Sequence, residues 1–341
     1  MTKVHSILNV GLDGAADFGR RAEEVGFDGI WATETANDPF LPLLLAAGAT
    51  ERITIGTAIA VAFPRSPMHL AYTARDLHHY SKGRFVLGLG SQVRAHIERR
   101  YSAMYEPPVA RMRELVLAIR AIWTSWQEGT ALDFRGEFYT HTLMTPFFAP
   151  PVSEYGVPPI FIAAVGPKMT ETAGEVADGV FVHGLTTEKY LREVAVPALE
   201  RGVSKAGRDR ADIDICRPLF LVTGSNDEER AKADAWVRDK LAFYASTPTY
   251  KPILELHGWG DLQPELAALA KRGAWAEMPA LIDDDMLETF AIVGDMKDLP
   301  RLIHDRYDGL VDRISFTAPI EERPDEWADL IASLHALTTT A

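Results

Sequence analysis

One phrase recurs along this chain and limits its fold more than any other feature: an amphipathic helix, then Gly or Asp-Gly, then a short apolar run rich in Val, Ile and Phe. It first reads Ala22-Glu23-Glu24-Val25-Gly26-Phe27-Asp28-Gly29-Ile30-Trp31, and next Tyr80-Ser81-Lys82-Gly83-Arg84-Phe85-Val86-Leu87. Residues 175–182 and 307–316 repeat it. A glycine after a helix supplies the left-handed cap, and a nearly continuous apolar run suits a strand buried on both faces. Helices alternating with such strands specify a parallel sheet. Eight strands are expected, near residues 5–9, 29–33, 53–60, 84–90, 160–164, 180–183, 213–222 and 313–316. Eight units favour a closed (β/α)8 TIM barrel over a doubly wound sheet, with residues 1–341 forming one domain.

Two stretches exceed a plain unit. After the fourth strand, about residues 100–158, the segment 132–139 reads as a small hairpin and a proline-rich loop covers 146–159. After the seventh, residues 226–290 read as several helices. Long insertions behind barrel strands build up the C-terminal face, where active sites of this architecture form.

Composition narrows the function. At 341 residues and 47% hydrophobic, the chain can bury a large core without disulfides or metals. A net charge of -13 repels both a phosphate backbone and an anionic membrane, so nucleic acid is not an expected partner. No run of about 18 uncharged apolar residues occurs, and Met1 to Val10 lack the apolar core of a signal peptide. The expectation is a cytoplasmic protein with no membrane span. The single cysteine, Cys216, reads as a small buried hydrophobe in a strand. No spaced Cys or His cluster and no Gly-x-Ser-x-Gly elbow appear, so no metal site and no serine nucleophile are expected.

On a barrel the informative residues follow each strand. Glu34, after the second, is a carboxylate at the rim, open to reading as a solvated loop acid or a helix cap. The third strand carries small residues, Gly56-Thr57-Ala58-Ile59-Ala60, which let a flat ring lie against the backbone or serve tight packing. Gly88-Leu89-Gly90 in the fourth lacks the third glycine of a dinucleotide fingerprint. Ser91, Gln92, Arg94 and His96 follow it and gather polar groups at one rim, with Arg99 and Arg100 beyond. After the fifth strand, Ala163-Ala164-Val165-Gly166-Pro167-Lys168-Met169 opens a helix with proline at its first position, which reads as a plain helix start or as a phosphate cradle of free backbone N–H groups with Lys168 adding charge. His183, after the sixth, is a pocket residue or a core histidine.

These segments together resemble the luciferase-like monooxygenase superfamily, and within it the class of oxidoreductases that uses the deazaflavin coenzyme F420. The matching phrases are Gly56-Thr57-Ala58-Ile59, Ser81-Lys82-Gly83-Arg84-Phe85 leading to Gly88-Leu89-Gly90-Ser91, then Gly166-Pro167-Lys168, Ala177-Asp178-Gly179 and Ala291-Ile292-Val293-Gly294-Asp295. The resemblance implies a bulged third strand with a cis peptide between Ala58 and Ile59, a cofactor ring over that bulge, and the cofactor phosphate at the helix beginning near Gly166 to Met169. It places Glu34 beside the ring and gives Ser91, Gln92 and His96 cofactor contacts. Arg94, Ala163, Ala164, Lys168 and His183 complete the expected cofactor surface.

Two positions depart from the pattern. Thr35 stands where several relatives have histidine, and Val93 stands where the sugar-phosphate dehydrogenases of this class have their acidic proton donor. A sugar phosphate is therefore not the expected substrate. His96 becomes the first candidate for the proton-handling group and Glu34 the second. Phe63, Tyr101, Tyr105, Phe147, Phe148 and Trp259 suggest a small hydrophobic organic substrate. The expected reaction is hydride transfer between F420 and that substrate. The alternatives are an FMN-dependent monooxygenase and a non-catalytic carrier of flavin or deazaflavin. By analogy with relatives, the chain is expected to form a homodimer.

Overall fold

The computed structural model describes residues 2–339. Eight parallel strands close into a barrel: β1 (Lys3–Leu8), β2 (Gly29–Ala32), β3 (Thr54–Thr57), β4 (Phe85–Gly90), β5 (Ile160–Ala164), β6 (Gly179–Val182), β7 (Asp214–Pro218) and β8 (Arg313–Phe316). Each pairs with the next, and β8 returns to β1. The expected TIM barrel is therefore the fold.

The recurring Asp-Gly phrase has a physical reason at the foot of the barrel. Asp28 accepts the backbone N–H of Val4 at 2.6 Å, Asp178 that of Ile160 at 2.8 Å, and Asp312 that of Ile215 at 2.8 Å. Each aspartate thus starts one strand while bonding the first ladder position of its neighbour. A carboxylate accepting a backbone N–H makes a charge-assisted bond, stronger than a neutral one. Gly26, ahead of the first copy, sits at φ 103° and returns its N–H to Ala22, the left-handed helix end that only glycine adopts without cost.

Strand alternation divides the core in two. Trp31, Val86, Phe161, Phe181 and Cys216 point inward and fill the barrel, with the Trp31 and Phe181 rings edge to face at 5.3 Å. Their neighbours along the strands, such as Ile30, Phe85, Leu87 and Ile162, face the surrounding helices. Cys216 is buried in a strand, as its sequence context implies.

Two expected strands are shorter than their apolar runs. The run 53–60 breaks after Thr57, and the chain resumes as a two-residue strand, Ala60–Val61, paired with Leu89 and Gly90 of β4. The run 213–222 also divides, because Pro218 has no N–H for the ladder. Beyond it Phe220–Val222 leaves the barrel to pair in parallel with Ala291–Val293. In the first insertion the small hairpin is present as Phe134–Arg135 against Thr140–His141. The second holds the helices Asp227–Ala245, Lys251–Leu256, Leu262–Arg272 and Asp284–Phe290.

Candidate active site

The break in the third strand is the centre of the mouth. The peptide between Ala58 and Ile59 is cis, as expected. Glycines in β4 make room for this bulge. A Cβ on Gly88 would lie 1.8 Å from the Thr57 carbonyl oxygen, and one on Gly90 would lie 2.6 Å from the Ile59 side chain. Thr57 closes the contact from its side, its hydroxyl donating to the Gly88 carbonyl at 2.7 Å and accepting the Gly88 N–H at 2.9 Å. The Gly-x-Gly of the sequence is thus a packing device for a bulge, not a nucleotide loop. Ala58, Ile59, Ile7 and Ala163 are half-buried on the inward cluster and form an apolar floor at the C-terminal end of the barrel.

Glu34 sits at the rim above this floor with both carboxylate oxygens engaged. Oε2 accepts the Val61 N–H and the Arg65 guanidinium, each at 2.7 Å, while Oε1 accepts the Tyr101 hydroxyl at 2.8 Å. Its own N–H donates to the Ile59 carbonyl at 3.3 Å. Arg65 reaches on to Asp38 at 3.0 Å. Glu34 is therefore neither a helix cap nor a solvated acid but a clamp joining three rim segments. The Tyr101 phenol is pushed up from its ordinary value by burial and then by the Glu34 carboxylate, so it remains a donor. Arg65 gives no advance signal in the sequence, since nothing there shows which loop arginine meets Glu34.

After β4, Gln92 takes a left-handed backbone at φ 56°, and its side chain accepts the Val93 N–H at 2.9 Å. Ser91 is half-buried and donates to the Gln92 carbonyl. Beyond this turn the helix Arg94–Arg99 carries His96, whose side chain is exposed and has no hydrogen-bond or ionic partner among the described residues. Arg94 is spent on Glu98 and Glu106 and lies over the Tyr105 ring. Arg100 donates to the Thr35 carbonyl at 2.8 Å and covers Tyr101. Arg99 and Lys168 form no ion pair among the described residues.

At the end of β5 the helix Pro167–Val176 begins at Gly166, with no side chain capping it. The first-turn N–H groups of Lys168 and Met169 have no intrahelical acceptor by the geometry of a helix start. A Cβ on Gly166 would meet nothing within 4 Å, so the space in front of the turn is open. Lys168 and Pro167 are exposed there, and Ala164 is buried behind.

His183 stands just beyond β6. Its Nδ1 accepts the Leu185 N–H at 3.2 Å, and its ring lies 4.6 Å from Tyr244 and 4.5 Å from Tyr250. Burial, and then the Arg217 cation, pull its pKa down to about 4. The structure thus brings Ala58, Ile59, Ala163, Glu34, Ser91, Gln92, Gly166 and His183 around one mouth, with His96 outermost. The aromatic residues of the sequence scatter. Phe63 packs on Tyr105, Trp259 stacks on His257, and Phe147 and Phe148 lie on an exposed loop. Tyr244 and Tyr250 were not foreseen, because nothing in the helical second insertion shows which aromatic side chains turn back to the barrel.

Comparison with known proteins matches this architecture. The model of the luciferase-like monooxygenase family matches residues 3–313. An uncharacterized protein of Mycobacterium tuberculosis is 52% identical over 300 residues, covering 88% of each chain. The 5,10-methylenetetrahydromethanopterin reductase of Methanolobus tindarius is 30% identical over 327 residues, covering 93% of each. In structure, the coenzyme F420 dependent tetrahydromethanopterin reductase of Methanopyrus kandleri superposes over 99% of both chains with a TM-score of 0.80 at 23% identity. With seven of the eight barrel strands wholly inside the matched span, this chain belongs to the luciferase-like monooxygenase family of oxidoreductases.

Proposed function

We propose that this protein transfers a hydride between coenzyme F420 and a small organic substrate. One observation carries the reading: an apolar floor of alanine and isoleucine around the break at Ala58–Ile59 lies beside an uncapped helix start, as a flat ring with a phosphate-bearing tail requires. The residues fit the group. The open front of Gly166 admits a phosphate, the N–H groups of Lys168 and Met169 would bind it, and Ala58, Ile59 and Ala163 would support the ring. Bound there, the deazaflavin supplies or accepts the hydride. The protein orients and shields it, with Glu34 fixing the bulge through its clamp and Ser91 and Gln92 forming the adjoining rim. His96 is the titratable group outside that rim that exchanges a proton with the substrate.

The tail of F420 carries more negative charge than that of FMN. Lys168 and Arg99, left without carboxylate partners, favour the longer anion, whereas Arg94 is already neutralised by Glu98 and Glu106. We also assign the exposed Leu41, Leu44 and Leu45 on the helix Phe40–Ala49 to a contact between two copies of the chain. Titration of the apoprotein with F420 and with FMN tests the reading. F420 binds more tightly, and Lys168→Ala weakens F420 several-fold, more at low salt than at high salt. Tighter FMN binding would overturn the assignment in favour of a monooxygenase. Tight F420 binding without turnover of any redox substrate would leave a carrier.

A further inference from the structure

In the ring of eight strands β6 lies opposite β2, so His183 faces the clamp side of the mouth from the far wall. Phe181 points into the barrel, and strand alternation puts His183 on the same side, one layer higher. Ala164 pairs with Val182, which sets His183 next to the start of the proposed phosphate cradle. Above it the second insertion folds back. The helix Asp227–Ala245 delivers Tyr244 and the turn Pro248–Tyr250 delivers Tyr250, their ring centres 6.3 Å apart.

The polar tips of this wall are unspent. Because Nδ1 of His183 accepts the Leu185 N–H, the ring proton of the neutral imidazole belongs on Nε2. Neither Nε2 nor either phenol hydroxyl has a hydrogen-bond partner among the described residues. None of the three is among the sealed, unpartnered side-chain atoms, so each opens onto space. Three polar tips that converge on one open space beside the proposed cofactor cradle, none of them used within the protein, are placed to meet a ligand. The nearby cation, Arg217, is sealed from that space, and its buried Nη2 has no partner among the described residues. Its Nε donates to the Thr186 carbonyl at 3.0 Å, its Nη1 donates to the Pro218 carbonyl, and its guanidinium covers the Tyr307 ring.

We propose that His183, Tyr244 and Tyr250 form the substrate-recognition wall, and that it takes an uncharged, planar ring compound whose carbonyl-type acceptor is held by the Nε2–H of His183. Planarity follows from the ring faces, which reward flat apolar surface. Neutrality follows from a wall made of imidazole and phenols, none of which carries a positive charge to pair with a desolvated carboxylate, while the Arg217 guanidinium is buried behind it. The acceptor follows from Nε2–H, which only donates. The assignment rests on the redox reading above and adds the substrate class to it.

Three probes of similar shape test it: 1-indanone, indane, which lacks the acceptor, and indane-2-carboxylate, which adds a charge. Calorimetric binding to the F420-saturated protein and to the apoprotein should rank 1-indanone first, about tenfold tighter than indane, which is what one added hydrogen bond gives. The carboxylate should bind most weakly. His183→Phe keeps the ring and removes the donor, so 1-indanone should fall to the affinity of indane. Tyr250→Phe should lower 1-indanone binding less and leave F420 affinity unchanged. Equal wild-type affinity for 1-indanone and indane would overturn the wall, as would a His183→Phe protein that keeps the preference. The wild-type comparison decides even where a variant does not fold. Failure of F420 to bind, with the 1-indanone preference intact in the apoprotein, would instead sink the redox reading and leave the wall standing.

Discussion

The two sides of the barrel mouth are built on opposite terms. On the side of β2 and β3 the polar groups of the clamp are spent. Both Glu34 oxygens, the Thr57 hydroxyl and the Arg65 guanidinium are engaged, and the β4 glycines leave no room for one more carbon. On the side of β6 and the second insertion, His183, Tyr244 and Tyr250 touch ring against ring, edge to face or tilted, and keep their hydrogen-bonding tips free. A wall closed by hydrogen bonds is organised before any ligand arrives, so it suits a partner that is the same in every turnover. A wall of rings held only by aromatic contacts can shift at small cost, which suits the substrate side proposed above. The contrast sets the proposed cofactor platform apart from the proposed substrate wall.

The sharpest way to break that contrast is to add one methyl group to each side. In Gly88→Ala the new carbon meets the Thr57 carbonyl oxygen at 1.8 Å, a backbone atom that moves only if the bulge moves. We expect a loss of about 3 kcal/mol or more and no measurable cofactor binding. In Gly184→Ala the new carbon meets the far edge of the Phe220 ring at 2.8 Å, a side chain with freedom to swing. That variant should lose far less. Urea unfolding of the pair reads the difference, and equal losses would mean that the two walls are equally rigid.

Acid should strike the soft wall next. Burial and the Arg217 cation depress the His183 pKa to about 4, against about 6.5 in an unfolded chain. The unfolded state therefore binds the proton first as pH falls. The stability that His183 contributes is fully present above about pH 6.5, drains away down to about 4, and is of order 3 kcal/mol across that window. His5 and His78, also depressed by burial, act in the same direction. His183→Gln should flatten the curve of stability against pH between those limits. An unchanged slope would mean that the imidazole is not held neutral in the folded protein.

Much of the fold was legible because it is written in local signals. Helix, glycine, aspartate and apolar run gave the strand order, and Gly26 at positive φ and the three strand-foot aspartates supply the physical reason. The site was legible where backbone makes it: the bulge at Ala58 and Ile59 and the helix start at Gly166. It was not legible where side chains meet across the sequence. Glu34 contacts Tyr101 across 67 positions, and His183 meets Tyr244 and Tyr250 from an insertion whose helices carry no code for which face turns down. Arg94 shows the same limit from the other side, since a basic residue at a rim reads as an anion ligand until Glu98 and Glu106 are seen to hold it.

The smallest of these effects is the most specific to the clamp, and it compares Glu34→Gln with His96→Ala. The amide keeps the length of the glutamate but offers one acceptor oxygen where the carboxylate offers two. Three donors converge on that carboxylate: the Val61 N–H, the Arg65 guanidinium and the Tyr101 hydroxyl. In the variant the amide nitrogen can face only the Tyr101 oxygen, and the amide oxygen still accepts the Val61 N–H and the Arg65 guanidinium but without the negative charge that strengthened both bonds. Hydrogen bonds to charged groups are worth about 1.5 to 3 kcal/mol, and Arg65 retains Asp38, so a loss of about 2 kcal/mol is expected. Because the donors hold the segment around the bulge, F420 affinity should fall with stability. His96 is exposed and unpartnered, so His96→Ala should unfold within about 0.5 kcal/mol of wild type and bind F420 equally well, with only turnover reduced. Thermal melts and F420 titration of both proteins separate the roles. A Glu34→Gln protein as stable as wild type, binding F420 as tightly but turning over slowly, would make Glu34 a reacting group and not a clamp.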